Sequence, residues 1–167
     1  LSASFVEPLE ASSIGTTIQQ TFLLVKRLIN YNNQSIEKYN NEVNDITDNI
    51  RDFIALHYIT PRRDTPFWKA VADTPLPESL KQNLEMWNTR IPIDDDIAPN
   101  ALFNEYNFAI VMYALGLFNT DKILEQYNQI PPEAQEHAER KCQEKIDFDQ
   151  IKSIPHKMML GLLRSLV

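Results

Sequence analysis

Apolar residues recur at helical spacing along most of this chain. From Ile14 onward they follow one another at steps of three and four residues, and the positions are Ile18, Phe22, Val25, Leu28 and Ile29. Such spacing places apolar side chains on one face of an α-helix. Ser12 and Ser13 stand directly before this run, and serine is a favoured N-cap residue. The pattern predicts a helix that starts at one of these serines and ends near Ile29.

The strongest periodicity in the chain follows Ser35. Its apolar positions are Ile36, Tyr39, Val43, Ile46, Ile50, Phe53 and Ile54. They indicate a second amphipathic helix, capped by Ser35 and ending near His57. Two prolines, Pro61 and Pro66, bracket the segment that follows, and proline disrupts the interior of a helix. We therefore expect residues 60–66 to form a loop.

Prolines also mark the starts of shorter helices. Short helices are predicted after Pro66 and after Pro77, because proline is tolerated in the first helical turn. Residues 90–100 carry two more prolines and three consecutive aspartates, which indicates a solvated surface loop. An almost wholly apolar helix is predicted from Leu102 to Leu117, so we expect it to be buried.

The last part of the chain adds a polar helix from Pro131 through Lys145 and an apolar terminal helix near Pro155. Glycine, which weakens helices, occurs only 3 times in 167 residues, and β-branched residues rarely alternate with polar ones. We therefore predict a mainly α fold. At this length, with 43% hydrophobic residues, the chain can bury a sizeable core.

The charge and the cysteine content exclude several classes of function. A net charge of −7 argues against binding to nucleic acids or to anionic membranes. The longest apolar stretches are too short to span a bilayer. The one cysteine, Cys142, cannot form an internal disulfide, and the three histidines show no metal-ligand spacing. We expect a cytoplasmic protein without a metal, a nucleic-acid partner or a membrane partner.

The richest chemistry lies near the N-terminus, where the string FVEPLEASSI joins two carboxylates, a proline and two serines. Pro8 holds Glu7 in an extended conformation, and Glu10 stands beside the start of the first predicted helix. The N-terminal end of a helix attracts anions because its first amide groups lack partners within the helix. Glu10, Ser12 and Ser13 are therefore candidates for acid–base chemistry and anion binding.

Four segments resemble the flavin-dependent halogenases typified by tryptophan halogenase, in that family's order. The first is FVEPLEASSI, similar to FVEPLE(S/A)(T/S)(G/S)I, and the second is Tyr39-Asn40 followed by IRDFIALHY. The third is RRDTPFW, and the fourth runs from Leu102 to Gly116, like the family's LFxxxxWxxVLxGxG helix. The resemblance implies that the chain is the helical, substrate-side C-terminal part of an FAD-dependent, monooxygenase-like α+β enzyme.

In that family, reduced FAD supplied by a separate flavin reductase reacts with oxygen and oxidises a halide ion, the co-substrate. The resulting hypohalous acid halogenates an electron-rich aromatic substrate. The resemblance implies that Glu10 is the catalytic carboxylate, which orients the halogenating species or accepts the ring proton. Ser12 and Ser13 replace a Thr-Gly pair whose amides hold chloride in the family, so they are the expected halide-binding residues.

The resemblance also implies contacts with the cofactor and the substrate. The expected cofactor contacts belong to the first motif, FVEPLEASSI, and they are Pro8, Leu9 and Ile14. The expected substrate contacts lie in the fourth segment: Leu102, Phe103 and Phe108. The stretch before this segment is shorter than in the tryptophan halogenases, so we expect an indole-like or phenolic substrate other than free tryptophan.

The flavin-binding part of such an enzyme is not recognisable here. The family's GxGxxG loop and WxWxIP motif are absent, and glycine stands only at positions 15, 116 and 161. We expect residues 1–13 to be the catalytic-chamber loop that ends the flavin-binding part, and residues 14–167 to be one helical domain. The apolar lead without an initiator methionine predicts a fragment that is inactive alone and has an upstream flavin-binding domain as its partner.

Two alternatives remain open at this point. The chain could belong to a flavin monooxygenase relative that does not halogenate. It could also be a helical protein-interaction module, in which the stripe of residues 36–53 binds a partner helix. Homo-oligomer formation is left open as well.

Overall fold

The computed structural model describes residues 12–29 and 31–152, with side chains as far as residue 147. These residues form seven α-helices and one short 3-10 helix, and they contain no β-strand. In chain order the elements are α1 (Ser12–Leu28), α2 (Asn33–His57), α3 (Pro66–Asp73), α4 (Glu78–Trp87), the 3-10 helix (Asp94–Asp96), α5 (Glu105–Ala114), α6 (Thr120–Gln129) and α7 (Pro132–Lys152). The predicted mainly α fold is confirmed.

The chain is divided into two compact units within α6, at Ile123 and Leu124. The predicted division between residues 13 and 14 lies at the edge of the described residues and stays a prediction. In the second unit, Gln135 Nε2 donates hydrogen bonds of 2.8 Å to the carbonyls of Tyr127 and Ile130. These bonds join the first turn of α7 to the end of α6. The candidate site residues all belong to the first unit.

Two predicted helix caps are wrong. Ser12 and Ser13 have helical geometry and lie inside the first turn of α1. The cap of α2 is Asn32 and not Ser35, because the Asn32 side chain accepts a 2.9 Å hydrogen bond from the Ser35 amide. Asparagine in an extended conformation reaches the third amide of a helix well, and Ser35 is the residue that supplies this amide.

The core of the first unit is built around α2. Its buried apolar residues come from α1, α2, α4, α5 and the loop before α5, and they are Leu23, Ile46, Ile50, Phe53, Ile54, Leu56, Leu80, Trp87, Phe103, Phe108 and Met112. The predicted stripe of α2 is confirmed from Ile46 onward, whereas Ile36 at its start is exposed. Burial of a side chain of this size stabilises the fold by roughly 1.5–3 kcal/mol.

Aromatic rings form the centre of this core. The Phe53 ring stacks on Phe103 at 3.9 Å between centroids and meets Phe108 edge-on at 5.2 Å. The ring centroid of Trp87 lies 5.2 Å from that of Phe108. Pairs of this kind contribute about 0.5–1.5 kcal/mol beyond their buried area. The loop before α5 is thereby fixed to α2.

The apolar stripe predicted for α1 does not face this core. Its members are exposed: Ile14, Ile18, Phe22, Val25, Leu28 and Ile29. The buried side of α1 consists instead of Ser12, Thr16 and Leu23. The helix prediction is confirmed, but the apolar stripe is not the side of α1 that is buried.

The apolar helix predicted over residues 102–117 is shorter and less buried than expected. It becomes α5, which Asn104 caps by accepting a hydrogen bond from the Asn107 amide. Phe108 and Met112 are buried, but Ile110 and Tyr113 on the opposite side are exposed. The sequence pattern alone did not reveal α6, whose ten residues are mainly polar, and α7 continues past Lys145 to Lys152.

The three aspartates of residues 94–96 are not a uniformly solvated run. The side chain of Asp96 is only 6% exposed, and it accepts hydrogen bonds from Trp87 Nε1 at 2.9 Å and from Arg90 Nη1 at 2.6 Å. The Arg90 guanidinium lowers the pKa of Asp96 from 3.8 to about 2, with smaller contributions from the Ile93 amide and Trp87. The aspartate therefore anchors the loop after α4 to the end of that helix.

We expect Asp96→Asn to destabilise the fold by about 2 kcal/mol near neutral pH, since the folded-state pKa is depressed by about two units. A depressed pKa stabilises the fold above the unfolded-state pKa. The difference between the two proteins should therefore vanish as the pH falls from about 4 to about 2. Urea denaturation across this range measures it.

The matched control is Asp64→Asn, because Asp64 pairs with Arg62 at the surface with more than half of its side chain exposed. That substitution should change the free energy of unfolding far less than Asp96→Asn does, because exposed ion pairs contribute little to stability. Equal losses for the two variants, or a loss for Asp96→Asn that persists unchanged at low pH, would contradict the role given to Asp96.

Candidate functional site

Only some of the candidate residues of the N-terminal motif lie within the described structure, which begins at residue 12. Pro8, Leu9 and Glu10 lie outside the described residues. Ser12 is buried, Ser13 is half-buried and Ile14 is exposed. Ile14 belongs to the same uncovered face of α1 as Ile18 and Phe22.

The first turn of α1 has the features of an anion-attracting helix end. It carries no acidic side chain, while Lys26 and Arg27 stand in the last turn. The hydroxyls of Thr16 and Thr17 donate to the carbonyls of Ser12 and Ser13, at 2.6 and 2.8 Å, and are thus engaged within the helix. The groups that give this turn its positive character are the backbone amides.

The candidate substrate residues lie where the loop after the 3-10 helix enters α5. Phe103 and Phe108 are core residues, with their rings against Phe53. Leu102 is half-buried and is the least covered of the three. Phe108 also lines a polar hollow of about 170 Å³ beside α2.

Asn49 of α2 fixes the backbone of this loop. Its Oδ1 accepts a 2.9 Å hydrogen bond from the Phe103 amide, and its Nδ2 donates a 2.9 Å hydrogen bond to the Phe103 carbonyl. One side-chain amide thus satisfies both backbone groups of a residue 54 positions away. Because buried backbone groups are costly to leave unpaired, this contact determines the path of the loop.

Two further polar contacts hold the loop at Asn100. Gln19 Nε2 donates to the Asn100 carbonyl, and Asn100 Nδ2 lies 3.4 Å from Glu42 Oε1. Glu42 itself pairs with Arg27, whose hydrogen bonds hold the pKa of Glu42 below its ordinary value. The loop is therefore tied to α1 and α2 together.

Residues 97–104, which join the 3-10 helix to α5, are called the candidate substrate loop, or substrate loop. The first turn of α1 meets this loop at Gly15. A Cβ atom built on Gly15 would lie only 3.2 Å from Leu102 Cδ1. This spacing is tighter than ordinary van der Waals contact, so the absence of a side chain at position 15 permits the close approach. The fold thus brings together two of the predicted parts of the site, the Ser12–Ser13 turn and Leu102.

A larger apolar groove of about 360 Å³ lies elsewhere, between the end of α2 and the segment from α3 to α4. Its lining residues include Tyr58, Phe67 and Leu76, and none of the predicted site residues. Within the described ranges, no three His, Cys, Asp or Glu side chains come together as a metal site. Nor does any helix in the described part have the length and hydropathy needed to cross a membrane.

Comparison with known families identifies the relationship. The sequence model described as tryptophan halogenase matches residues 1–129. The chain belongs to the tryptophan halogenase family. The matched range includes the N-terminal motif, α1 to α5 and the substrate loop, so the resemblance seen in four segments is confirmed.

Two curated relatives are much longer than this chain. The chain is 35% identical over 102 residues to a 7-chloro-L-tryptophan 6-halogenase of a Kutzneria species, a match to 59% of this chain and 20% of that protein. It is 29% identical over 132 residues to a tryptophan 7-halogenase of Lentzea aerocolonigenes, a match to 70% of this chain and 25% of that protein. The chain thus spans a fifth to a quarter of these halogenases.

A solved structure shows the same helical arrangement. The tryptophan halogenase of Shewanella frigidimarina superposes with a TM-score of 0.73 at 28% identity, over 90% of this chain and 29% of that chain. The family fold is therefore present in the described part of the chain as one portion of a larger enzyme architecture.

The described residues do not fit the phosphate-binding end of a flavin dinucleotide. Glycine-rich loops cradle phosphates because backbone amides can approach closely where no side chain intervenes. Gly15 lies inside α1 against Leu102, and Gly116 follows α5 with a φ of 66°. Neither of these glycines stands in such a loop, so the described residues do not themselves provide this part of a flavin site.

Sequence reasoning missed the residues that position the loop. Asn49, Gln19 and Glu42 are polar residues on amphipathic helices, where such residues are normally solvated. The signal that could have found Asn49 is its place directly before the IRDFIALHY motif, one helical turn before Phe53. Gln19 and Glu42 carry no comparable signal.

Proposed function

We propose that this chain forms the helical, substrate-side part of a flavin-dependent halogenase. Such an enzyme uses reduced FAD from a flavin reductase, oxygen and a halide ion to halogenate an electron-rich aromatic compound. The observation that carries the proposal is the contact between Gly15 and Leu102, which joins the anion-attracting turn of α1 to the substrate loop. Membership of the tryptophan halogenase family supports it.

The proposed roles follow the motifs. The ring of the substrate attacks the halogen of hypohalous acid, so that the carbon–halogen bond forms while the halogen–oxygen bond breaks and hydroxide leaves. Glu10 then accepts the proton from the same ring carbon, and the electron pair of that C–H bond restores the aromatic ring. The amides at Ser12 and Ser13 hold the halide ion. Leu102 contacts the substrate, and Phe103 and Phe108 define the wall behind it. A substrate such as an indole or a phenol provides the electron-rich ring.

The flavin-binding part of the enzyme is the proposed partner of this chain. The uncovered face of α1, centred on Ile18 and Phe22, is a surface that a large domain can bury. Ile14 stands at the start of that face. Following the N-terminal motif, the proposed contacts with the cofactor are Pro8, Leu9 and Ile14. The greater length of the family's curated members is consistent with such a domain.

The substitution Glu10→Gln tests the catalytic role. In the protein expressed from its complete reading frame, with FAD, a reductase and bromide, we expect halogenation of indole to fall at least about 100-fold, since an amide is a far weaker base. Release of hypohalous acid, trapped by a dye, should be unchanged because the carboxylate acts on the substrate. Mass spectrometry of the product measures the loss.

The control for this experiment is Glu7→Gln, which removes a carboxylate from the same motif and should retain most of the activity. Full halogenation by Glu10→Gln would remove Glu10 from the mechanism. A wild-type protein that oxidises indole or phenol without halogenating either would favour a monooxygenase.

Halide selection is expected to depend on position 13. Ser13→Gly restores a residue with greater backbone freedom at the proposed halide site. We expect it to raise chloride use relative to bromide when both ions are supplied at equal concentration, as measured by the ratio of chlorinated to brominated product. Ser13→Ala keeps the Cβ atom and lacks the hydroxyl, so it should leave the ratio unchanged. An unchanged ratio for Ser13→Gly would place selection elsewhere.

A further inference from the structure

Asn49 is unusual among the polar residues of α2 because both ends of its side-chain amide are used on one distant residue. Its oxygen accepts from the Phe103 amide and its nitrogen donates to the Phe103 carbonyl, each at 2.9 Å. One turn further along α2, Phe53 stacks on the Phe103 ring at 3.9 Å. The backbone and the side chain of Phe103 are thus held by two residues of the same helix face.

The hydrogen bond from Gln19 to the same loop leaves one polar atom of that side chain unpaired within the described part of the chain. Gln19 donates to the Asn100 carbonyl, but its own Oε1 is buried without a hydrogen-bond partner among the described residues. A buried acceptor of this kind costs stability, whereas the pairing of Asn49 with Phe103 satisfies donor and acceptor on both sides. Asn49 is therefore the stronger polar constraint on where the loop lies.

The position of Leu102 depends on this constraint. Leu102 directly precedes Phe103, and its Cδ1 would lie 3.2 Å from a Cβ atom on Gly15. A loop released from Asn49 can shift Leu102 relative to the first turn of α1. Displacements of about 1 Å between reacting groups can cost on the order of 100-fold in rate.

We propose that Asn49 is a positioning residue that sets where the aromatic substrate lies relative to the halide-binding turn of α1. This inference rests on the proposed function. Asn49 acts through Phe103 and Leu102. Its loss should therefore change substrate affinity and the ring position that is halogenated, while halide oxidation continues.

Two substitutions at this position separate the two hydrogen bonds. Asn49→Asp has nearly the same shape and keeps an acceptor for the Phe103 amide, but it cannot donate to the Phe103 carbonyl. Asn49→Ala loses both bonds. The matched control is Asn32→Ala, which destabilises the same helix by removing its N-cap, 17 positions before Asn49.

The experiment uses the protein expressed from its complete reading frame, with FAD, a flavin reductase, bromide and indole as the probe substrate. Hydrogen exchange of the Phe103 amide reports on the contact itself. The KM for indole, kcat and the ratio of brominated regioisomers report on substrate placement, and a dye reports on hypohalous acid.

We expect Asn49→Ala to lower kcat/KM for indole by roughly 10- to 100-fold, to alter the regioisomer ratio and to speed exchange of the Phe103 amide, with unchanged hypohalous acid formation. Asn49→Asp should retain more protection of that amide than Asn49→Ala. Asn32→Ala should keep the wild-type regioisomer ratio and KM, since a general loss of stability moves neither.

The outcomes distinguish this inference from the proposed function. If the wild-type protein halogenates indole but Asn49→Ala keeps its KM and regioisomer ratio, only the inference is overturned. If Asn32→Ala shifts the ratio as much as Asn49→Ala does, the effect is one of stability and the inference is again overturned. If the wild-type protein halogenates neither indole nor phenol, the proposed function fails and the inference fails with it.

Discussion

The stacking of Phe53 on Phe103 is the interaction on which the rest of the first unit depends. It joins the C-terminal part of α2 to a loop 50 positions later in the sequence, and Asn49 reinforces it through the backbone of the same residue. Phe53 also meets Phe108 of α5 edge-on, so one ring of α2 packs against both the loop and the helix that follows it. Ordering such a loop is costly in conformational entropy, and the buried aromatic cluster offsets that cost.

The two sides of α1 have opposite functions in this arrangement. Its inner side combines small residues with Leu23, and Gly15 lets Leu102 approach the first turn closely. Its outer side is apolar and uncovered, which is unusual for a surface helix. This division is consistent with a segment of a larger family architecture, in which one side of α1 shapes a site and the other contacts a further part of the enzyme.

Much of the fold could be predicted from the sequence because helix periodicity and proline positions are local signals. The end of α2 and the starts of α3 and α4 follow from the stripe ending near His57 and from Pro66 and Pro77. The direction in which α1 faces could not be predicted, because periodicity locates an apolar face and does not say what covers it. The burial of Asp96 was missed for a related reason: its partners Trp87 and Arg90 become neighbours only after the loop folds back.

The sequence motifs indicated which residues are candidates for the site, but they did not show how the described ones come together in the fold. FVEPLEASSI and the segment at Leu102 indicated a family and a set of residues, but nothing in the sequence joined the two. Their connection depends on side chains without a motif of their own, Asn49 and Gln19, and on the lack of a side chain at Gly15. Contacts between residues 50 to 90 positions apart are decided by packing, which local patterns do not encode.

The close approach of Gly15 and Leu102 is the central claim, and a double-mutant cycle of Gly15→Ala and Leu102→Ala tests it most directly. Alanine stabilises a helix interior by about 1 kcal/mol relative to glycine, but with Leu102 present the new methyl group is crowded at 3.2 Å. Gly15→Ala should therefore raise the free energy of unfolding only slightly when Leu102 is present. When Leu102 is replaced by alanine, the same substitution should raise it by close to the full value of about 1 kcal/mol. Urea denaturation should give a coupling energy of about 0.5 kcal/mol or more. Strictly additive effects would contradict the contact that joins the two parts of the site.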